Sequence, residues 1–433
     1  MALPNSSIDT ALQDAIQRFT DKNPQSLAQH EVAAAVMPGG NTRTVLYHEP
    51  FPMALSGGEG CYVTSLDGRD YLDALGEYTA GLFGHSDPVI RAAIDTALDG
   101  GLVLGGHTRR EADLAALLCE RFPALDRVRF TNSGTEANLL TVSLARTLTG
   151  RSKVMVTQGG YHGSMMLFAT PNPLNAPFPF VFTEYNNLAS AEATAESCAD
   201  DLACILVEPM MGSGGCVPGD PAFLQGLREL ADRTGALLIF DEVMTSRLSP
   251  GGLQLVHGIT PDLMTLGKYI GGGLTFGAFG GRADLMRRFD PEAPDALAHA
   301  GTFNNNTLTM SAGYAAMSQV YTPDVITAHN ARGDRLRARL NAICAKAGVA
   351  FQFSGIGSML TAHPVAGPIT TYDHAANADP RLKALFFFDM VDSGIWLARR
   401  GMVNLSLPMG EAEFDRIAEA VDTFVTVRGH LLR

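Results

Sequence analysis

The residues best equipped for chemistry stand at the ends of two apolar runs. Ala236-Leu237-Leu238-Ile239-Phe240 is too short for a helix, reads as a strand buried on both faces, and ends in two carboxylates, Asp241 and Glu242. Further on, Leu263-Met264-Thr265-Leu266 ends in Gly267-Lys268. A lysine between glycine and apolar neighbours at a strand end is partly desolvated. Desolvation lowers the pKa of an amine and makes it a nucleophile toward a carbonyl. In open α/β sheets, ligands bind at the carboxyl ends of the strands, where both groups would sit.

An acid and a lysine on neighbouring strand ends match what pyridoxal phosphate requires. The lysine forms the Schiff base, and a buried carboxylate keeps the ring nitrogen protonated so that the ring accepts electrons. Either residue alone is ordinary, since a strand-end Asp commonly caps a loop and a Lys is commonly solvated. The elements around them therefore have to carry the argument.

Residues 8 to 35 read as one or two amphipathic helices, followed by the breaker Met37-Pro38-Gly39-Gly40 and a loop with Arg43, a solvated charge or a fork for a carboxylate. Asp67-Gly68 between short β-prone runs predicts a hairpin turn. Tyr78, Phe83 and Gly84-His85 precede a helix over about 88 to 98. From there strand and helix alternate. A helix over 109 to 121 leads to a strand at 127 to 132, and Ser133-Gly134-Thr135-Glu136-Ala137 opens a helix running to about Thr149. That corner offers hydroxyls and backbone N–H groups to an anion at a helix N-terminus, and equally serves as a plain capping box. A strand at 153 to 156 leads to Gly159-Gly160-Tyr161-His162-Gly163, where an aromatic ring at a glycine corner can stack on a planar ligand or pack in the core. Cys204 to Val207 reads as a buried strand ending in Glu208-Pro209, and a helix over 221 to 234 returns the chain to the central run. Phe276 to Gly281 is a further strand. Repeated β-α units imply a largely parallel sheet covered by helices. The C-terminal part reads as a helix over about 323 to 347, strands around 350 to 363, 394 to 398 and 402 to 407, and a last helix from 411 to about 427 with Phe414, Ile417, Val421 and Phe424 on its core stripe.

Composition sets the outer limits. With 433 residues, 46% of them hydrophobic and 18% charged, the chain is a well-buried globular protein with room for a large domain and a smaller one. A formal charge of -13 argues against nucleic acid and anionic membrane surfaces as partners. No apolar run approaches a membrane span, and the N-terminus lacks the basic-then-apolar order of a signal peptide. Six cysteines (61, 119, 198, 204, 216 and 344) without CxxC spacing suit reduced thiols in the cytoplasm and hold no metal. There is no GxxxxGK[ST], no GxGxxG after a strand, no HExxH and no GxSxG, so nucleotide-binding, zinc-protease and serine-hydrolase readings lose their support.

In order and spacing, Ser133-Gly134-Thr135-Glu136-Ala137, Tyr161-His162-Gly163, Glu208-Pro209, Asp241-Glu242-Val243 and Thr265-Leu266-Gly267-Lys268 resemble the class III pyridoxal-phosphate aminotransferases. Ala145 to Lys153 and Gly301-Thr302-Phe303 resemble the glutamate-1-semialdehyde aminomutase branch. The resemblance runs from about Pro38 to the C-terminus. It implies an α/β fold of the PLP fold type I, with a mostly parallel seven-stranded sheet in a large domain (76–325). A smaller α+β domain (326–433) would be joined by the N-terminal segment (1–75). It implies Lys268 as Schiff-base lysine and proton carrier, Asp241 on the pyridinium nitrogen, and Val243 and Tyr161 on the two ring faces. Ser133, Gly134 and Thr135 would bind the phosphate, Glu208 would sit near the cofactor's hydroxyl, and Thr302 would reach the phosphate in the neighbouring subunit of a homodimer.

Two departures bear on the substrate. The chain has Phe303-Asn304-Asn305-Asn306 where aminomutases carry a serine-glycine-asparagine run, and Arg399-Arg400-Gly401 where they carry small residues and proline. Arg43 and Arg399 would serve the carboxylates of an amino donor and a dicarboxylic acceptor, with Arg400 competing for the role of Arg399, and Tyr78 and Phe83 would add apolar walls. This pattern resembles the β-amino-acid (β-phenylalanine) aminotransferases of the family. It implies ping-pong transfer of the amino group from an aromatic β-amino acid to 2-oxoglutarate or pyruvate. The alternatives are an aminomutase-type isomerase and a non-catalytic pyridoxal-phosphate-binding protein.

Overall fold

A computed structural model of the chain describes residues 7–433, so the first six residues of the N-terminal segment, and the part of the signal-peptide reading that falls on them, lie outside the described residues. The chain divides into two compact units, one made of 7–87, 331–368 and 377–433, the other of 88–330 and 369–376.

The second unit is built on a seven-stranded sheet. Its elements are β1 (Arg127–Thr131), α1 (Gly134–Thr149), β2 (Lys153–Thr157), β3 (Phe180–Thr183), β4 (Leu202–Val207), α2 (Pro221–Thr234), β5 (Leu237–Asp241), β6 (Leu263–Gly267) and β7 (Gly277–Gly281). The strand order is β1-β7-β6-β5-β4-β2-β3. Pairings among β2 to β6 are parallel, and β4 is buried at every residue, as its unbroken apolar run demands. β7 runs antiparallel to both β6 and β1. The reason lies in the connection: only residues 268–276 link β6 to β7, and a parallel return needs a crossover of a dozen or more residues. The alternation of β and α elements does predict the mostly parallel sheet, while this one reversal depends on loop length. Val142, Val154, Val156, Leu206, Ile239 and Phe279 form part of the core at the sheet, each contributing roughly 1.5–3 kcal/mol by leaving water.

The first unit carries a four-stranded sheet and a three-stranded sheet. The former joins Leu55–Glu59, Tyr62–Ser65, Asp70–Asp73 and Ile395–Trp396 in that order, with the Asp67-Gly68 turn where the sequence predicts it. The latter joins Gln352–Ile356, Met359–His363 and Met402–Asn404. The strand expected over 394–398 is shorter, because Ala398 already turns back, its N–H bonding Met402 O at 3.2 Å. The N-terminal helical stretch divides into Ile8–Lys22 and Pro24–Ala34 at Asn23, since Pro24 cannot continue a helix but fits the first turn of a new one. The helix Glu411–Arg428 buries Phe414, Ile417, Val421 and Phe424, as their spacing predicts.

Candidate active site

Asp241 closes β5, with only 4% of its surface exposed. Three elements converge on its carboxylate. Asn138 Nδ2, from α1, and His162 Nδ1, from the glycine corner after β2, each lie 2.8 Å from Oδ2. Val243 N–H reaches Oδ1 at 3.0 Å, and Thr265 Oγ1, paired with Asp241 in the β5–β6 register, lies 3.3 Å from the same oxygen. The Thr265 hydroxyl also lies 2.9 Å from Asn138 Oδ1. An ionised carboxylate is acceptor-only, so this ring of donors holds a negative charge in one orientation while burial keeps water from it.

The adjacent carboxylate does different work. Glu242 is fully buried and accepts bonds from Thr245 Oγ1 and from the N–H groups of Leu253 and Gln254, at 2.8–2.9 Å. It ties down the loop that follows β5. Burial pushes it up to about 7 despite these donors. Of the two strand-end acids, only Asp241 faces the cluster formed by α1 and the 159–163 corner.

Lys268 follows β6 with φ of +54°, the left-handed region that costs a side-chain-bearing residue of order 1–3 kcal/mol. The short turn Lys268–Gly271 holds it there. Gly272 N–H bonds Tyr269 O at 2.9 Å, and the buried Tyr269 ring packs edge-on against Tyr321. A strained lysine over-determined by its neighbours is a feature of functional sites.

Ser133 caps α1, its hydroxyl accepting Glu136 N–H at 3.2 Å, while Glu136 Oε2 accepts Asn132 N–H at 2.9 Å. The N-cap of the sequence reading is present, but Glu136 closes on the N–H of Asn132 and not on that of Ser133, so the reciprocal bond of a capping box is replaced, and the capped helix start still presents backbone N–H groups to an anion. Gly134 lies flush against Val243: a Cβ built on it would meet Val243 Cγ2 at 2.9 Å. Val243 also packs on Gly267, and Gly163 sits against Thr135, so the helix start, β5, β6 and the 159–163 corner form one contiguous group. Tyr161, partly exposed, donates its N–H to Glu208 Oε1 at 3.1 Å, and Gly212 N–H reaches Glu208 Oε2 at 2.9 Å. Burial lifts Glu208 to about 7, with neighbouring His162 opposing the shift and Asp241 adding to it.

The substrate candidates belong to the first unit. Residues Gly76–Thr79 run through left-handed φ values of +51°, +45°, +52° and +83°, an unusual turn pinned by Asp73 Oδ1 accepting the N–H groups of Leu75 and Gly76 at 3.0 Å. The turn sets Tyr78 so that Arg43 lies 5.9 Å and Arg400 4.7 Å from its ring centroid. Arg43 also pairs with Glu77, and Tyr78 Oη bonds Val45 O at 2.9 Å. Phe83 is buried. Arg399 is exposed, and its charge adds to the burial that pushes His48 down to about 4. Arg43, Tyr78 and Arg400 are thus brought together.

Thr302 is exposed and lines a cavity of about 500 Å³ with Leu102 to His107. The three asparagines after Phe303 have separate tasks: Asn304 bonds Asn132, Asn305 bonds Glu111, and Asn306 caps the helix Thr307–Ala315.

Sequence reasoning overlooked Asn138. Its one signal in the sequence is an amide directly after the Ser133–Ala137 corner; its burial among mostly apolar residues is visible only in the structure. A buried carboxylate, a lysine, and a helix N-terminus with a glycine flush against Val243 fit a flat, phosphate-bearing aldehyde with a basic ring nitrogen. Among the described residues no cluster of His, Cys, Asp and Glu is arranged to hold a metal.

Residues 46–427 match the family model for class III aminotransferases. The chain is 51% identical over 431 residues to a β-phenylalanine transaminase from Variovorax paradoxus, covering 99% of each. A solved β-phenylalanine aminotransferase from the same organism superposes with a TM-score of 0.97 at 52% identity, covering 98% of this chain and 99% of that one. A glutamate-1-semialdehyde 2,1-aminomutase from Heliobacterium modesticaldum is 35% identical over 434 residues, covering 95% of this chain and 98% of its own. The chain belongs to the class III aminotransferases, enzymes of the PLP fold type I that work with pyridoxal 5′-phosphate.

Proposed function

We propose that this aminotransferase moves the amino group of an aromatic β-amino acid, such as β-phenylalanine, to 2-oxoglutarate or pyruvate. The observation that carries the reading is the pair of guanidinium groups, Arg43 and Arg400, on the Tyr78 ring. Two cations beside one aromatic ring suit a carboxylate next to an apolar group, since guanidinium binds carboxylates bidentately and the ring supplies an apolar wall. Arg399, one residue away, remains a second candidate for the acceptor's far carboxylate, and Phe83 a second wall. The 51% identity to a β-phenylalanine transaminase supports the same substrate class.

When bound, pyridoxal phosphate supplies the electron sink that lets a proton leave the carbon bearing the amino group. Lys268 Nζ would take that proton from the amino-bearing carbon and carry it to the cofactor. Asp241 holds a positive charge on the ring nitrogen, and the buried His162, Asn138 and Thr265 keep its carboxylate aimed. Ser133, Gly134 and Thr135 bind the phosphate at the start of α1. Val243 and Tyr161 would cover the ring faces, and Glu208 would lie near the hydroxyl. The unit of 88–330 and 369–376 serves as the cofactor-binding domain, and the unit of 7–87, 331–368 and 377–433 as the smaller one.

The chain works as a cytoplasmic homodimer, with Thr302 reaching the partner's phosphate. Support comes from the apolar surface beside it: Leu102, Val103, Leu104 and Phe303 are 51%, 78%, 55% and 54% exposed, more than a lone subunit ordinarily leaves in one place. The cysteine spacing supports a reducing compartment. Among the described residues no helix is long and apolar enough to cross a membrane.

The test follows the absorbance of the bound cofactor. β-Phenylalanine alone should convert the absorbance, and 2-oxoglutarate should restore it. Conversion only by glutamate-1-semialdehyde, with no keto acid needed, would move the enzyme to the isomerase reading.

A further inference from the structure

Residues 369–376 are flanked in sequence by parts of the first unit yet belong to the second. Two anchors hold this strap. Thr370 O accepts Asn186 Nδ2 at 2.7 Å, and Asn186 also bonds Pro218 O and Asp220 N–H. Tyr372 is the other anchor, its hydroxyl donating to Ala169 O at 3.3 Å. Its ring lies against Gly159, where a Cβ would meet Tyr372 Cδ2 at 2.2 Å, and near Gly214, where a Cβ would meet the same atom at 3.3 Å. Gly159 has φ of +78°, and only glycine offers both that conformation and that closeness.

These two glycines belong to the corners that grip Glu208. Gly159 precedes Tyr161, whose N–H bonds one carboxylate oxygen, and Gly214 follows Gly212, whose N–H bonds the other. The first corner is closed by Gly159 N–H to Phe168 O and Phe168 N–H to Gly160 O, and the second by the N–H groups of Gly215 and Cys216 to Gly212 O. Glu208 joins the two corners through hydrogen bonds, and the Tyr372 ring touches both beside it, sharing Gly214 with the Met211 side chain.

We propose that Tyr372 is a positioning residue whose ring locks the 159–161 and 212–214 corners together, and so fixes the side of the cofactor pocket formed by Tyr161 and Glu208. The inference rests on the assignment of Tyr161 and Glu208 to the cofactor made above. The hydroxyl contributes little to this, because the ring makes the contact. Phenylalanine should therefore substitute for tyrosine, and an alanine or leucine should not.

The test uses the holoenzyme and its apoprotein without substrate, measuring pyridoxal phosphate affinity and the pH midpoint of the cofactor band. Tyr372→Phe should match the native enzyme, while Tyr372→Ala and Tyr372→Leu should weaken the affinity by about tenfold or more, the scale of lost hydrogen bonds to a charged group. Both should also move the pH midpoint away from the native value. The groups facing Glu208 are His162, Asp241 and Tyr185, and loss of the two N–H donors favours its protonated form. Leucine guards against an alanine variant that does not fold. A lower melting temperature with native affinity and midpoint would overturn the proposal, as a purely structural ring would give that result. Glu208→Gln and Tyr161→Ala, run in parallel, separate the two levels. If they move the band and the Tyr372 variants do not, the strap has no positioning role. If none moves it, the cofactor assignment of Glu208 and Tyr161 fails and takes the proposal with it.

Discussion

Replacing Asp241 by asparagine keeps the shape of the side chain and removes its charge. The carboxylate now accepts His162 and Asn138 on one oxygen and Val243 N–H on the other, with Thr265 alongside. An amide has one acceptor oxygen, so its NH₂ must face donors on one side or the other. On the proposed pairing it also leaves a cationic ring nitrogen with no counter-charge, in a site where Asp241 is almost fully buried. Removing one partner of a buried charge pair costs about 3–5 kcal/mol. At about 1.4 kcal/mol per tenfold, that is roughly a 150- to 5,000-fold loss of rate, provided the pairing strengthens in the transition state. Stopped-flow absorbance of the cofactor with saturating amino donor measures the step directly, and a thermal melt of the apoprotein checks that the fold survives. Asn138→Ala is the control, since it removes a neutral donor and leaves the charge. A single-turnover rate for Asp241→Asn within about tenfold of native would refute the reasoning. So would an equal loss in Asn138→Ala, because geometry alone would then explain both.

Lys268→Ala should leave no measurable turnover, and borohydride treatment followed by peptide mass spectrometry should find the cofactor's mass at this position in the native enzyme only. Arg43→Ala should raise KM for β-phenylalanine by about 10- to 100-fold, the scale of a lost charged hydrogen bond, and an unchanged KM would remove it from carboxylate binding. Comparing Arg400→Ala with Arg399→Ala for 2-oxoglutarate tests which arginine serves the acceptor, and the contact with Tyr78 predicts the larger KM effect at Arg400. Glu242 has a different signature. Its pKa is raised from 4.5 to about 7, so in that window the folded chain holds a proton that the unfolded chain has released, and stability falls as pH rises through it. Glu242→Gln cannot ionise and should lose that slope, worth about 3 kcal/mol, in urea melts of the apoprotein at pH 5 to 8. Glu208, lifted likewise, keeps its own contribution in both proteins.

Most of the sheet was legible in the sequence because its signals are local. A buried parallel strand must be apolar at every position, so Cys204 to Val207 and Ala236 to Phe240 announce themselves. Caps and breakers are equally local: Ser133, Gly150 and Pro24 mark helix ends through backbone geometry that needs no distant partner. The strand-end Asp241 and Lys268 follow from the same pattern, since a charge closing an apolar run must lie at the sheet's edge. Tertiary structure decided the rest, because it depends on contacts between residues far apart in the chain. That Asp241 rather than Glu242 faces the site follows from Asn138, 103 positions earlier, and His162, 79 earlier, meeting one oxygen atom. Arg400 rather than Arg399 meets Tyr78 because Tyr78 is held by a left-handed turn that no propensity would predict for Glu77 or Tyr78. β7 is reversed because its connection is short, and nothing in the sequence marks Tyr372 until Gly159 and Gly214 are seen against its ring. Sequence periodicity specifies which face of an element is buried; which partner waits there is a property of the assembled fold.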